Sequence, residues 1–541
     1  MTEFNLATMF EMGVDAYGDH EYLVVEGKRA TYTEMEVRAN RLAHHLAEHG
    51  VGKDDHVGIY AYNCMEWVET LWAVFKLRAV WININYRYVE DELAYIFDNA
   101  DLKAMVFARE FAPRIANVHD ALPLLNHLVV LEDDSAADLC GLEAIPYEEA
   151  LASGSPQRDF GPRSGDDLYM LYTGGTTGMP KGVIWRHEDV FFSLGGGIDP
   201  LTNEKVSSPE EMIDKASNAE FVPSMMSLAP LMHGASQWSV MGGAFAARKN
   251  ILVANFDPVS AWQLVEEEKV NGLFVTGDAM ARPLVEVLLS DDHTFDTSSL
   301  FLMISSAAVL SPSVKDQLLD YFPNLVLADS IGSSESGANG AVMVQKGQTQ
   351  TKGGGPTVSP VSGTVVLDEN LNEMQPGTGV VGKVARKGNI PLGYFKDEQK
   401  TAETFVTATN GTRYSVPGDF ALLETDGTIT LLGRGSVSIN SGGEKIYPEE
   451  VEGAVKAHAD VYDCIVVGVP DEKWGSRVAA VVQPREGTTP ELQSIQDQCR
   501  KKIAGYKVPR ELHVVGQILR APSGKPDYRW AKQIALGEIE A

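Results

Sequence analysis

The sequence predicts an α/β chain with a large N-terminal region and a small α+β C-terminal domain. Three observations carry this. Apolar, β-branched runs alternate with amphipathic helical runs through most of the chain, the alternation changes character beyond Arg434, and 541 residues at 44% hydrophobic content supply core enough for two or three domains. Thr33-x-x-Glu36 has capping-box spacing and opens a helical run with apolar Val37, Leu42 and Leu46 that stops at Gly50. The apolar stretch 57–61 follows, then a helical run opened by Asn63 and Glu66, then the β-branched and aromatic stretch 80–84. Strand, helix, strand in that order implies parallel pairing. The same alternation returns at 92–99 with 104–107 and at 261–268 with 272–275. Beyond Arg434 a helix at 448–458, paired strands at 463–469 and 477–483, and a helix near 491–503 predict the small domain. No repeat of 20 to 50 residues occurs. The polar segment 193–221, with Gly195, Gly196 and Gly197 near its start, shows no sustained period and reads as a surface insertion or lid.

Charge excludes some partners. Lys and Arg number 45 against 75 Asp and Glu, a formal charge of −30, whereas nucleic acid and anionic membranes need a basic face. The acid excess is uneven, since residues 435–541 carry 14 basic and 15 acidic side chains, net −1. Cys64, Cys140, Cys464 and Cys499 stand far apart with no C-x-x-C pair, which points to reduced, mostly buried thiols. No basic run followed by an apolar one opens the chain, and no stretch of about 18 uncharged apolar residues occurs, so no transmembrane segment and a cytoplasmic location are expected. A homodimer is among the assemblies the sequence admits.

The main chemical signal is Tyr172-Thr173-Gly174-Gly175-Thr176-Thr177-Gly178-Met179-Pro180-Lys181-Gly182, directly after the apolar stretch 168–171. Glycines let the backbone approach an anion, hydroxyls donate hydrogen bonds and Lys181 adds a cation, which together suit phosphates. A Walker A loop, and with it an ordinary P-loop kinase, is excluded because Lys181 neither follows Gly178 directly nor precedes Ser or Thr. With this loop come Ala229-Pro230-Leu231-Met232-His233-Gly234, Ser330-Ile331-Gly332-Ser333-Ser334-Glu335, Gly418-Asp419 with Asp426-Gly427, Gly433-Arg434 and Pro522-Ser523-Gly524-Lys525. In that order they make the chain resemble the adenylate-forming enzymes, the superfamily of acyl-CoA synthetases, luciferases and peptide-synthetase adenylation domains. The resemblance covers nearly the whole chain. It implies a fold of two β-sheets sandwiched with helices plus a small β-barrel over residues 1–434, which would hold AMP and the acyl group, and a mobile lid over 435–541 carrying the catalytic lysine.

The resemblance also implies roles. A carboxylate attacks the α-phosphorus of ATP and expels pyrophosphate, so charge on the transferred group must be neutralised. Thr173, Gly174, Gly175, Thr176, Thr177, Gly178 and Lys181 would hold the phosphates, and Glu335 with Thr173 would hold Mg²⁺, a hard ion usually bound by one or two carboxylates plus substrate oxygens. Ala307, Ala308 and Val309 align with the segment that packs on adenine, beside Asp329, Ser330, Ile331, Gly332, Ser333 and Ser334. Asp419 would accept both ribose hydroxyls and Arg434 would contact ribose or phosphate. Lys525 matches the catalytic lysine, its ammonium stabilising the carboxylate and bridging phosphate region. Three departures stand out: Ile331 replaces the usual aromatic on adenine, alanines at 307 and 308 replace glycines, and Asp329 replaces the usual Asn.

For the second half-reaction the family's small domain rotates about a hinge, here Ser436 where Asp or Lys is common. Ser441, Gly442, Gly443, Glu444 and Lys445 then resemble the segment lining the pantetheine channel, which makes CoA the expected acceptor. His233, Gly234, Ala235, Trp238, Met241 and Gly242 begin the acyl pocket, and no cation there offsets a second carboxylate. A bulky or long apolar monocarboxylic acid, a steroid side-chain acid or a fatty acid, is therefore expected. A medium-chain or aryl-alkanoic acid ligase, or a noncatalytic acyl- or nucleotide-binding protein of the same fold, are the alternatives.

Overall fold

The computed structural model describes residues 3–173, 179–198, 204–290, 292–348, 356–441, 444–471, 474–521 and 524–540. They fall into two compact units, Met1–Phe274 with Asn389–Phe405 and Val275–Gly388 with Val406–Ala541.

In the first unit a five-stranded sheet runs in the order Val80–Asn83, His56–Tyr60, Leu102–Ala108, His127–Leu131, Ala144–Pro146, parallel at every step. Helices Met65–Lys76, Glu90–Asn99 and Ala112–His119 make the crossovers, as strand–helix–strand alternation requires. A second set pairs Lys28–Thr31, Glu21–Val25, Asn250–Leu252 and Met225–Ser227, the last also lying parallel to Gly272–Phe274. Aromatic packing joins the helices to these sheets, with Phe10 stacked on Trp72 at 4.3 Å. Lys76 is buried between Glu11 (2.5 Å) and Glu36 (3.1 Å), while Arg163 holds Glu11 and Arg158 holds Glu36, so each buried charge has partners.

Two expectations change here. The helix Tyr32–Glu48 starts earlier than the sequence suggested, because Thr31 and Glu34 form the capping box. Register then turns Met35, Ala39, Leu42, Ala43 and Leu46 inward and leaves Val37 exposed, while Glu36 is drawn into the ion network. The segment 193–221 includes the helix Pro209–Ser217, capped by the Ser208 hydroxyl and burying Pro209 and Ile213; Ser208-Pro209 followed by Glu211 was a legible start signal in a stretch read only for its polarity.

The second unit is largely antiparallel. Leu302–Ser305 lies parallel to Val326–Ser333, which turns into Gly337–Val344; Thr357–Pro360, Ile429–Arg434, Asp419–Leu423 and Val381–Lys387 then follow edge to edge. Apolar periodicity alone reads this stretch as a continuation of the α/β region, whereas the family resemblance implies β-sheet and a small β-barrel within residues 1–434. Beyond it, Val461–Asp471 and Gly475–Pro484 form a long hairpin, with Glu511–Val514 parallel to the second strand. Alternate residues serve opposite faces: Cys464 and Val466 pack with Val451, Val455, Ile495 and Cys499, whereas Ile465, Val467 and Val469 pack with Ala531 and Ile534. Burial on both faces explains why these strands read as continuous apolar runs. Helices Pro448–Lys456 and Leu492–Arg500 match expectation; the helix Tyr528–Leu536 and the strand Glu511–Val514 were not foreseen. Of the cysteines, Cys464 and Cys499 are buried but Cys140 is exposed. Among the described residues no helix is long and apolar enough to cross a membrane.

Candidate active site

In the first unit the strands on either side of the glycine-rich segment are antiparallel neighbours. Leu168–Thr173 pairs antiparallel with Lys181–Arg186, and Thr173 faces Lys181 as the last pair. Gly174, Gly175, Thr176, Thr177 and Gly178 lie outside the described residues. Lys181 forms an ion pair with Asp397 and stands 5.9 Å from the centre of the Tyr394 ring. Asp397 also caps the helix Glu398–Thr404, accepting the Lys400 N–H at 2.9 Å, and the Lys181 ammonium holds its carboxyl below the usual range. The strand pair is fixed by Asn83, which accepts the Tyr172 N–H at 2.8 Å and donates to the carbonyls of Tyr172 (2.9 Å) and Met232 (2.8 Å). Asn63 does the same for the next segment, accepting from Leu231 N at 2.6 Å and donating to Ala229 and Val253. Both asparagines are buried. Neither was singled out from the sequence, although Asn83 inside an apolar strand was a legible anomaly.

Those clamps set the start of the helix Gly234–Ala244, whose N-cap is His233. A Cβ at Gly234 would meet Leu171 Cδ2 at 2.5 Å, so glycine permits the helix to lie against the loop-bearing strand. Trp238 and Met241 are buried in the apolar core, whereas His233, Gly234, Ala235 and Gly242 are half-buried. Ala235, Ser239, Gly242 and Ala246, spaced by four, three and four, form the half-buried side of this stretch, and all four are small.

In the second unit the segment expected at adenine is held backbone to backbone. Asp278 N–H donates to Val309 O at 3.1 Å. Gly277, at φ +61°, approaches so closely that a Cβ would lie 2.5 Å from Val309 O. Ala307 sits at φ +67°, the left-handed region that costs an alanine roughly 1–2 kcal/mol, which accounts for the family's glycine there. The side chain of Asp329 is engaged by Lys315 at 2.6 Å, both buried, although burial itself pushes the carboxyl pKa up. Ser330 Oγ donates to Ser305 O (3.1 Å) and Ser306 Oγ to Ser330 O (3.3 Å), locking the two strand ends together. Ile331 packs against a cluster including Val358, Val366, Val384, Ala421 and Ile429. Gly332 pairs with Ala338 and Ser333 with Gly337 around the turn bearing Ser334 and Glu335. The Ser415 hydroxyl donates to the Glu335 carbonyl and anchors that turn.

Asp419 and Arg434 face each other across adjacent strands, with Arg434 Nε donating to Asp419 Oδ1 at 3.1 Å. Lys525 joins them from 91 positions beyond Arg434 in the chain. Its side chain is open to solvent yet crowded by protein, and its pKa is pushed down, first by desolvation and then by Arg434, against the pull of Glu335 and Asp419. Two features place it. Gly524, at φ +73°, brings its backbone onto Thr276, where a Cβ would lie 2.6 Å from the carbonyl oxygen. Arg520 grips Asp463 through two 2.7 Å hydrogen bonds and donates to Gly524 O at 3.0 Å. Lys456 reaches Asp278 at 3.1 Å, tying the helix Pro448–Lys456 to the element that clasps Val309; Lys456 and Arg282 hold the Asp278 carboxyl down to about 2 against the opposing effect of burial. Arg520, Asp278 and Lys456 carry no local sequence signal, since their partners are far away in the chain. On the same helix, half-buried Glu449 has its carboxylate against Gly433, and desolvation, reinforced by Glu452 and Asp419, raises its pKa to about 8.

Elements proposed for CoA are only partly visible. Ser441 pairs with Glu444 in the hairpin Ile439–Ser441 and Glu444–Ile446, while Gly442, Gly443 and the side chain of Lys445 fall outside the described residues. Ser436 belongs to the short 3₁₀ turn Gly435–Val437 that follows Arg434; its side chain is likewise outside them.

Residues 10–395 match the family described as AMP-binding enzyme, and residues 450–525 match its AMP-binding enzyme C-terminal domain. The chain is 51% identical over 533 residues to the 3-oxocholest-4-en-26-oate–CoA ligase of Rhodococcus rhodochrous, covering 98% of this chain and 95% of that protein. It is 50% identical over 535 residues to the medium/long-chain-fatty-acid–CoA/3-oxocholest-4-en-26-oate–CoA ligase of Mycobacterium marinum, with 98% and 96% covered. Among solved structures, the anthranilate CoA ligase AuaEII in complex with anthranoyl-AMP shares the fold, with a TM-score of 0.85 at 20% identity over 99% of this chain and 98% of that one.

Proposed function

The chain belongs to the AMP-binding enzyme family, and on that premise we propose that it joins a bulky or long apolar monocarboxylic acid, a steroid side-chain acid or a fatty acid, to CoA at the expense of ATP. The acid's carboxylate oxygen attacks the α-phosphorus, the bond to the β-phosphate oxygen breaks, and pyrophosphate leaves. The CoA thiol then attacks the acyl carbon of the acyl-adenylate, AMP leaves and the thioester forms. One observation carries the assignment: Asp419, Arg434 and Glu335, scattered with Lys525 over 190 positions, all come within electrostatic reach of Lys525 in the second unit.

In this reading Thr173, Thr176, Thr177 and Lys181 bind the β- and γ-phosphates, and Lys181 exchanges Asp397 for them. Asp419 orients the ribose. Lys525, a cation held in crowded surroundings, stabilises charge developing between carboxylate and α-phosphate. The Glu335 carboxylate and Thr173 hydroxyl are hard oxygen donors of the type Mg²⁺ takes, and the ion, bound by them and by phosphate oxygens, would neutralise the departing pyrophosphate. Small residues on the half-buried side of Gly234–Ala244 support a wide acyl pocket that begins at His233. We place the domain boundary after Arg434, the hinge at Ser436, the CoA channel along Ser441–Lys445, and the protein in the cytoplasm.

The test is pyrophosphate release with a panel of acids, followed by mass spectrometry of the thioester. Steroid side-chain and long fatty acids are expected to turn over, with aryl-alkanoic acids slower. Silence across the panel while nucleotide still binds would make the protein a noncatalytic binder.

A further inference from the structure

Three of the chain's 12 histidines gather at one place in the first unit. His45 lies in the last turn of the helix Tyr32–Glu48, His49 is its C-cap residue, and His127 opens the strand His127–Leu131. One ring nitrogen from each lies within 4.8 Å of the other two. His45 Nε2 faces His127 Nε2 at 3.0 Å, and the His49 ring stacks on that of His127 with centroids 4.1 Å apart.

The hydrogen bonds around the cluster fix its protons. His49 Nδ1 lies 2.8 Å from the His45 carbonyl, which can only accept, so Nδ1 carries hydrogen and Nε2 a lone pair. The Ser153 hydroxyl spends its hydrogen on the Ala150 carbonyl at 2.8 Å, so it accepts from His45 Nδ1 at 2.8 Å, and His45 Nε2 likewise carries a lone pair. Two imidazoles are thus set in one tautomer by groups behind them, the arrangement that orients metal-bound histidines. The single hydrogen between His45 and His127 belongs to His127 Nε2.

We propose that His45, His49 and His127 form a binding site for a first-row divalent cation of the zinc class, joining the C-terminal end of that helix to the sheet. Two nitrogens bound tetrahedrally at 2.0–2.1 Å stand about 3.3 Å apart; the His45–His127 pair is already at 3.0 Å, and His49, its nitrogen within 4.8 Å of both, closes in by a side-chain rotation. On binding, His127 releases hydrogen from Nε2 and takes one up at Nδ1, so the ring stays neutral. Three imidazoles favour zinc, copper or nickel over magnesium or calcium, and exposed His49 leaves the fourth position to water. None of the three belongs to the residues assigned to ATP, acid or CoA.

Zinc is the probe. Calorimetric titration of the full chain without a polyhistidine tag, in nucleotide-free buffer, is expected to give one zinc per chain in the micromolar range or tighter. Cobalt in its place should show the visible absorption of a tetrahedral ion. His49→Ala, at an exposed position, should bind roughly tenfold more weakly or worse and lose that absorption, while keeping metal-free melting and pyrophosphate release. His127→Gln should lose the absorption as well. Zinc binding undiminished in His49→Ala, or no zinc binding by the native chain below millimolar concentration, overturns the proposal.

Discussion

At the scale of single residues, the site combines one cation in crowded surroundings with one alanine in a strained backbone. Lys525 sits near a second cation, Arg434, and is compensated by Glu335 and Asp419, the setting our proposal requires of a charge that stabilises an anion formed only during reaction. Lys525→Ala is expected to slow acyl-adenylate formation by on the order of 10² or more, and to spare thioester formation from supplied acyl-adenylate. Single-turnover measurements of each half-reaction check this, and an equal loss in both would remove the lysine from its assigned step. Ala307 at φ +67° gives a stability test. In ordinary conformations Ala→Gly costs about 0.5–1 kcal/mol, but here relief of the left-handed strain offsets it, so Ala307→Gly should be neutral or slightly stabilising by urea denaturation.

At the scale of elements, a few backbone clasps hold the candidate site together. Thr276 and Gly277 are central: one receives the Lys525 loop through Gly524, the other receives Val309. Gly524→Ala would introduce a Cβ 2.6 Å from the Thr276 oxygen at φ +73°, so the loop must lift. Adenylation should fall at least about tenfold with far-UV circular dichroism unchanged, because a 1 Å misplacement of a reacting group is costly. How much of this was legible follows from where each signal lives. The parallel sheet was readable because its strands are apolar and its crossovers amphipathic. The helix at 448–458 and the hairpin after it were readable for the same reason. Motif residues such as Asp419 and Lys525 were singled out by their local context. Asn83, Asp278, Lys315, Lys456 and Arg520 were not, since each acts through a partner far along the chain, and the Thr31 capping box lost to an equally well-spaced Thr33 and Glu36 two residues later.

At the scale of the whole molecule, buried titrating groups set a pH window for stability. His187 is fully buried, accepts the Asn5 amide at Nδ1, and is pushed down from 6.5 to about 4 by burial, so its contribution is complete above pH 6.5 and is lost as pH falls toward 4. Glu449 runs the other way: raised from 4.5 to about 8, it favours the folded state below pH 4.5 and loses that stability as pH climbs to 8. Between about pH 4.5 and 6.5 His45 and His127, also pushed down to about 4 by burial, act with His187 and outweigh the Glu449 slope, so stability falls as the solution is acidified. From pH 6.5 to 8 the histidine contribution is complete and Glu449 alone removes on the order of 2 kcal/mol as it ionises. Urea midpoints across that range should fall in the native chain and stay level in Glu449→Gln. The chain's path between its units has a different consequence, for biosynthesis. Strand Lys181–Arg186 is completed by Gly393–Tyr394, and Lys181 meets its carboxylate at Asp397, in a stretch made only after residues 275–388. At ribosomal speed that excursion lasts on the order of ten seconds, during which the edge of Lys181–Arg186 is bare and its lysine unmatched. A chaperone that shields strand edges would find its substrate in that interval.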